Sequence, residues 1–372
     1  MKKSDITKCF SSLRKLTTTV LAFVIACGSF VFSSAADNGV TIKSNPVAAE
    51  VNEYALRILP KHLHALNTAE ELKVSNNCYL GQAFEIYNIE NHQSAAYYPV
   101  VDREKIIAIL QVSKSAGKYN SILSVAFSRE LEKLFLEGKT QYTLFTDSVN
   151  LYAYDGKTAK VIYALNPSET NYAVRSVGDY EVATNTALSL KDLKTAVKSS
   201  ERSVGMLLAP IPPYESNVLP VAGVSQTGKT CWAATCAAII NYYKGTSLSD
   251  IDVARYIYGD SWDQAGGWND VKNAYNHWGV YPSCMGVIGF GRVKSNINSG
   301  DPMNLCLVGN RGHSVGLIGF EEWDSNYGGD RVLILLEPNE GRRESVTLND
   351  SGNFTYILYG YSFSWENTIE FS

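Results

Sequence analysis

The segment Gln226-Thr227-Gly228-Lys229-Thr230-Cys231-Trp232-Ala233-Ala234 puts a cysteine where a polar loop gives way to an apolar helix. A thiol attacks as its thiolate, and the free N–H groups and positive dipole end of a helix N-terminus favour that form. A Gln shortly upstream can bring its side-chain amide, beside a backbone N–H of the helix start, to an oxyanion forming on a substrate carbonyl. Spacing alone leaves a second possibility open, a buried cysteine beside an unrelated loop Gln. Cys236 lies further along the same helix among Ala and Ile and reads as a small core hydrophobe.

A nucleophilic cysteine needs a base, and the second half of the chain holds two histidines, His277 and His313. His277 falls within a helix beside Trp278 and reads as structural. His313 follows Gly309-Asn310-Arg311-Gly312 and opens an apolar strand, a place where a side chain is well held and still accessible. If strands over 314–320 and 332–336 form a hairpin, a register that pairs Phe320 with Asp330 sets His313 opposite Glu337. Directly opposed residues share a face of the sheet, so the Glu337 carboxylate would orient the imidazole and fix its tautomer. Asn339 has the same parity, and a slip of two residues would put it in that place.

The elements that must position these groups divide into two sets. In the second half, helices are expected over 231–244 (Thr230 as N-cap, Gly245 as terminator), 250–258 and 269–278. Strands follow over 305–308, 314–320, 332–336, 345–348 and 354–361, and helices followed by an antiparallel sheet give an α+β domain. In the first half, a helix over 48–66 is interrupted at Pro60. Strands are expected over 84–89, 96–101, 106–112, 142–145, 149–154 and 159–165, with a helix from Ser128 that Gly138 can end. This half is an antiparallel sheet with a packed helix. Its His62, His64 and His92 are scattered and read as surface or core residues. The expected organisation is a signal peptide over 1–36, a first domain over 45–197, a linker over 198–219 rich in Pro and Ser, and a second domain over 220–372.

Five basic residues, Lys2 to Lys15, precede an apolar run over 19–32 and the small residues Ser34-Ala35-Ala36, the pattern of an export signal cut near Ala36. The run is shorter than the ~20 apolar residues that span a bilayer. Val24-Ile25-Ala26-Cys27 also has the form of a lipobox, so lipid anchoring at Cys27 is the alternative to release. Without the leader the chain carries 28 basic against 36 acidic residues, which gives no footprint for nucleic acid or an anionic membrane. Residues 211–372 hold 10 basic and 17 acidic side chains, so the acidity belongs to the second half. The remaining cysteines, Cys78, Cys231, Cys236, Cys284 and Cys306, are odd in number and unpaired in spacing, which argues against a disulfide framework. There is no HExxH and no paired Cys/His spacing, so neither a metal nor a cofactor is expected.

Gln before Cys-Trp-Ala on a helix, His in Gly312-His313-Ser314-Val315, and an apolar strand ending in Glu337-Pro338 resemble the papain-like cysteine peptidases. The likeness is to exported bacterial branches: staphopain- and streptopain-like enzymes, and domains resembling bacteriocin-leader peptidases. It covers about 220–372. The run Leu80-Gly81-Gln82-Ala83-Phe84-Glu85-Ile86-Tyr87 and the strand-hairpin-helix order of the first half resemble the propeptides of such enzymes. The resemblance implies Cys231 as nucleophile, His313 as base and then acid, Gln226 as oxyanion donor, and the residue before Pro338 as the group that orients the histidine. That residue is normally Asn or Asp, and Glu337 is one methylene longer; the Gln-to-Cys gap is one residue shorter than in papain. The expected function is an exported cysteine endopeptidase made as a precursor, acting on protein or peptide, with the first half as intramolecular inhibitor. The alternatives are a peptidase specialised for cell-wall or leader peptides and a catalytically weak or silent peptide-binding module.

Overall fold

In the computed structural model the described residues are 39–371 apart from 116, 138–139, 148–149, 165–185, 198–211, 310, 350–351 and 359–360. The expected leader, the lipobox cysteine, Gly138 and most of the linker therefore lie outside the described residues. Among those described, eighteen strands join through successive pairings into one sheet, with helices packed against it. Residues 39–372 group as one unit. No described helix is long and apolar enough to cross a membrane.

The second half is built around the helix Cys231–Lys244. Every residue from Trp232 to Ile240 is buried, and the small Ala233, Ala234, Ala237 and Ala238 let it lie deep between neighbours. Gly245 ends it in the left-handed conformation (φ 63°), as expected. Thr230 occupies the N-cap position without capping, because its hydroxyl donates instead to Asp250 (2.6 Å). The following helix, Asp250–Tyr258, starts with a reciprocal Ser249–Asp252 capping box. A third helix, Trp268–His277, shares an apolar core with these two through Val253, Val271 and Tyr275.

The strand that carries His313, Gly312–Glu322, runs between Met303–Val308 and Arg331–Glu337. A bulge at Ile318 shifts its register: Gly319 pairs with Ile334, whereas Gly316 pairs with Leu336. Phe320 pairs with Leu333 where Asp330 is expected, a displacement of three residues, and the bulge takes back one, so Gly316 lies two residues from its expected partner Ile334. Extending the observed offset sets His313 opposite Asn339, with Glu337 as the diagonal neighbour. Two elements escape periodicity, the amphipathic helix Phe290–Ser299 and the strand Pro282–Gly286. Glu215–Val218, which the proline count assigns to the linker, is an edge strand paired with Gly319–Glu322, because the prolines flank it without interrupting it.

In the first half the helix Ala49–Thr68 runs through Pro60 unbroken. Burial of Leu56, Leu59, Leu63 and Leu66 along one face outweighs the loss of one helical bond at the proline. The sheet is not wholly antiparallel: Thr41–Lys43 and Tyr87–Asn88 each pair in parallel with the strand Gln141–Thr146. The strand Lys118–Ser124 pairs with Arg342–Thr347 of the second half (Leu123 with Ser345, Ile122 with Val346), so the sheet is continuous across the two halves.

Candidate active site

Cys231 is the first residue of its helix, and the loop that delivers it is held from two sides. Asp250, itself buried, accepts from the Thr227 N–H (2.7 Å), the Thr227 hydroxyl (3.2 Å) and the Thr230 hydroxyl. Asp263 accepts from the Lys229 N–H (2.7 Å). The same loop rests on the turn after Glu337: the Gln226 N–H donates to the Pro338 carbonyl (2.6 Å), and a Cβ on Gly223 would meet the Gly341 carbonyl at 1.8 Å. Only glycine permits that approach. The Thr235 hydroxyl, one turn into the helix, donates to the Ser314 carbonyl (3.0 Å) and ties the cysteine helix to the histidine strand.

His313 is buried (4% exposed) and hydrogen-bonds the Cys231 thiol. Its Nε2 faces the Glu337 carboxylate at 2.9 and 3.1 Å. Phe363 and Tyr356 flank the ring at centroid distances of 5.4 and 6.2 Å. Glu337, the last residue of its strand, also accepts from the Asn339 N–H (3.0 Å) and the Tyr356 hydroxyl (2.6 Å). The structure thus brings Cys231, His313 and Glu337 into one chain of contacts. Asn339 supports it only through its backbone, because its side-chain amide donates to Tyr163 of the first half.

Burial alone would lower the His313 imidazole. The Glu337 charge and the hydrogen bonds with Cys231 and Glu337 outweigh it and lift the ring to about 10. For Glu337 burial works upward, but the imidazolium opposite and the bonds from His313, Tyr356 and Asn339 hold it below the usual carboxylate range. An imidazolium held by a carboxylate on one side and facing the cysteine sulfur on the other favours the thiolate, the form of a cysteine that attacks.

Cys231 and His313 face a cleft of about 360 Å³ walled by Trp232, Trp268, Val271, Leu307 and Val308 among others. Every residue lining it falls between 231 and 369, so among the described residues the first half contributes no side chain. Gln226 is not in that lining. It is 5% exposed, and its amide nitrogen donates to the Gly228 carbonyl (3.2 Å). His277 stands apart from the site, stacked on Tyr256 at 3.7 Å. Cys284 and Cys306 line the cleft, and Cys236 is fully buried with its thiol pushed above the ordinary range by burial.

Sequence reasoning missed Tyr356, Asp250 and Glu344. Tyr356 sits in a short strand, Thr355–Leu358, that periodicity merges with the next one, and Asp250 looks like an ordinary first-turn acid. Glu344 stands between arginines and serine in a polar-looking run, although it is 2% exposed. Its place on a strand adjoining Glu337 is the one signal that points to it.

The family described as papain-like cysteine protease AvrRpt2 matches residues 213–354, which include Cys231, His313 and Glu337. No curated protein matches the chain. Among solved structures, a C39-like peptidase from Bacillus anthracis aligns with a TM-score of 0.28 and 11% identity, over 42% of this chain and 97% of its own. UfSP from C. elegans aligns with a TM-score of 0.26 and 11% identity, over 83% of this chain and 76% of its own. Structural likenesses at that level carry no argument, whereas the family match coincides with the segment that holds the thiol, the imidazole and the carboxylate. Residues 213–354 are thus similar to the papain-like cysteine proteases, and the protein is a peptidase of the cysteine type.

Proposed function

We propose that the chain is an exported cysteine endopeptidase in which Cys231, His313 and Glu337 act as a triad. The observation that carries this is the placement of His313 between the Cys231 thiol and the Glu337 carboxylate at the floor of an open cleft. The sulfur attacks the peptide carbonyl and forms a tetrahedral oxyanion, which the first-turn N–H groups of the cysteine helix are suited to receive; Gln226 would join them only by turning its amide from the Gly228 carbonyl toward the cleft. Nε2 is committed to Glu337, which leaves Nδ1 to serve the sulfur and the leaving group. As the C–N bond breaks, His313 gives its proton to the departing amine and a thioester remains. Water then attacks the thioester, His313 takes the water proton, and the acid product leaves with the thiolate and imidazolium restored. Export rests on the basic and apolar leader over 1–36.

The test is hydrolysis of an unfolded protein such as casein by the purified chain, with mass mapping of the cysteine alkylated at about pH 6. Cys231→Ala should remove the activity, and Cys231 should be labelled before Cys78, Cys236, Cys284 or Cys306. Labelling of another cysteine first, or full activity in Cys231→Ala, would overturn the assignment.

A further inference from the structure

We infer that Tyr356 and Glu344 form a buried positioning relay for the Glu337–His313 pair, in which Glu344 holds a proton so that Tyr356 can donate its own to Glu337. The inference rests on the triad reading above.

It follows from counting protons. The Tyr356 hydroxyl oxygen lies 2.6 Å from Glu337 Oε2 and 2.5 Å from Glu344 Oε2. A phenol has one proton and can donate to one carboxylate. The second contact is a hydrogen bond only if the other carboxyl brings a proton and donates it to the phenol oxygen. Glu337 faces the imidazole and accepts a backbone N–H as well, an environment that favours its anion. Glu344 is therefore the carboxyl that carries the proton. The strand pairing sets the geometry: Glu337 pairs with Arg342 and Leu335 with Glu344, so the two carboxyls project from one face of adjoining strands, and Tyr356 spans them.

The charges around Glu344 agree. Burial raises it first, the Glu337 charge adds to that, Glu340 contributes in the same sense, and the carboxyl is pushed up to about 8 despite bonds with Ser124 and Tyr356. The two cations adjoining it in sequence are engaged elsewhere: Arg342 Nε donates to Glu71, and the Arg343 guanidinium donates to the Val221 carbonyl. Ser124 belongs to the first half, so the relay runs from His313 through Glu337, Tyr356 and Glu344 to the seam between the halves. A glutamate in place of the shorter Asn or Asp has the reach to meet the imidazole and the phenol together.

The experiment is the pH profile of kcat and KM for the full chain and for Tyr356→Phe, Glu344→Gln and Glu344→Ala, each checked for folding by its Tm. A Gln amide can donate to the phenol oxygen as the protonated carboxyl does, so Glu344→Gln should keep kcat within about threefold at neutral pH. Tyr356→Phe and Glu344→Ala should lower kcat about tenfold or more with KM little changed. The wild type should lose kcat in a one-proton step as pH rises through the Glu344 ionisation, because two anions then compete for one phenol proton. Glu344→Gln should lack that step. A wild-type alkaline profile in Glu344→Gln together with an unchanged kcat in folded Tyr356→Phe would overturn the relay and leave the triad standing. Loss of the triad itself would appear separately, as activity that survives Cys231→Ala.

Discussion

At the level of single residues, the orienting role falls to one of two side chains that the sequence leaves as alternatives. Strand parity brings both Glu337 and Asn339 to His313, and the observed register at Gly316 is offset from the expected one by the two residues that separate them. Glu337 still makes the contact, because its extra methylene lets it reach diagonally from the strand end, and the Asn339 amide is turned to Tyr163. Glu337→Ala is therefore expected to lower kcat by roughly 10²-fold or more with little change in KM, since an imidazole without its carboxylate loses orientation and tautomer control. Asn339→Ala should cost about 1 kcal/mol of stability through its lost bond to Tyr163, with a much smaller effect on kcat. Steady-state kinetics and denaturant unfolding of the two variants check this, and a larger kcat loss in Asn339→Ala would reverse the assignment.

At the level of elements, the helix of Cys231 and the strand of His313 were legible because their signals are local: an apolar run closed by Gly245, and a glycine-flanked histidine before a run of β-formers. What holds them together was not legible, because it depends on contacts between residues far apart in the chain. A bulge leaves no mark in Val315-Gly316-Leu317-Ile318-Gly319, where every spacing fits an even ladder. The strand at Glu215–Val218 is hidden by its flanking prolines, and the Asp250 bonds to Thr227 and Thr230 span twenty residues or more. Those bonds fix the loop that sets the approach of Cys231. Asp250→Ala removes the acceptor for three donors, two of them on Thr227 and one on Thr230, and should cost on the order of 2–4 kcal/mol. Loss of the fixed approach should also slow alkylation of Cys231 while leaving Cys284 unaffected, which comparison of the two labelling rates will show.

At the level of the whole molecule, the two halves meet along a polar seam. Arg57 and Lys61 pair with Asp330, His64 with Glu321 (2.8 Å), and Glu71 with Arg342 (2.6 Å), beside the continuous sheet at Leu123 and Ser345. His62, scattered as it looks in sequence, lies fully buried there, with Ser345 at its Nδ1 (2.7 Å) and Ser121 at its Nε2 (2.8 Å). Burial first, and then the Lys61 charge, push it down to about 3. Its folded value lies below the unfolded ~6.5, so its contribution is present above pH ~6.5 and is lost as pH falls toward 3, by an amount on the order of a few kcal/mol. The continuous sheet, the buried histidine and the ion pairs across this seam favour a first half that stays bound to the second after cleavage. Cleavage within 198–211 at neutral pH is therefore expected to leave the two pieces co-eluting on size exclusion, with activity close to that of the uncut chain. Lowering the pH below about 5 should separate them, and a His62→Gln variant should show a shallower acid slope of stability. Separation at neutral pH with a rise in activity of the released second half would instead make the first half an inhibitor.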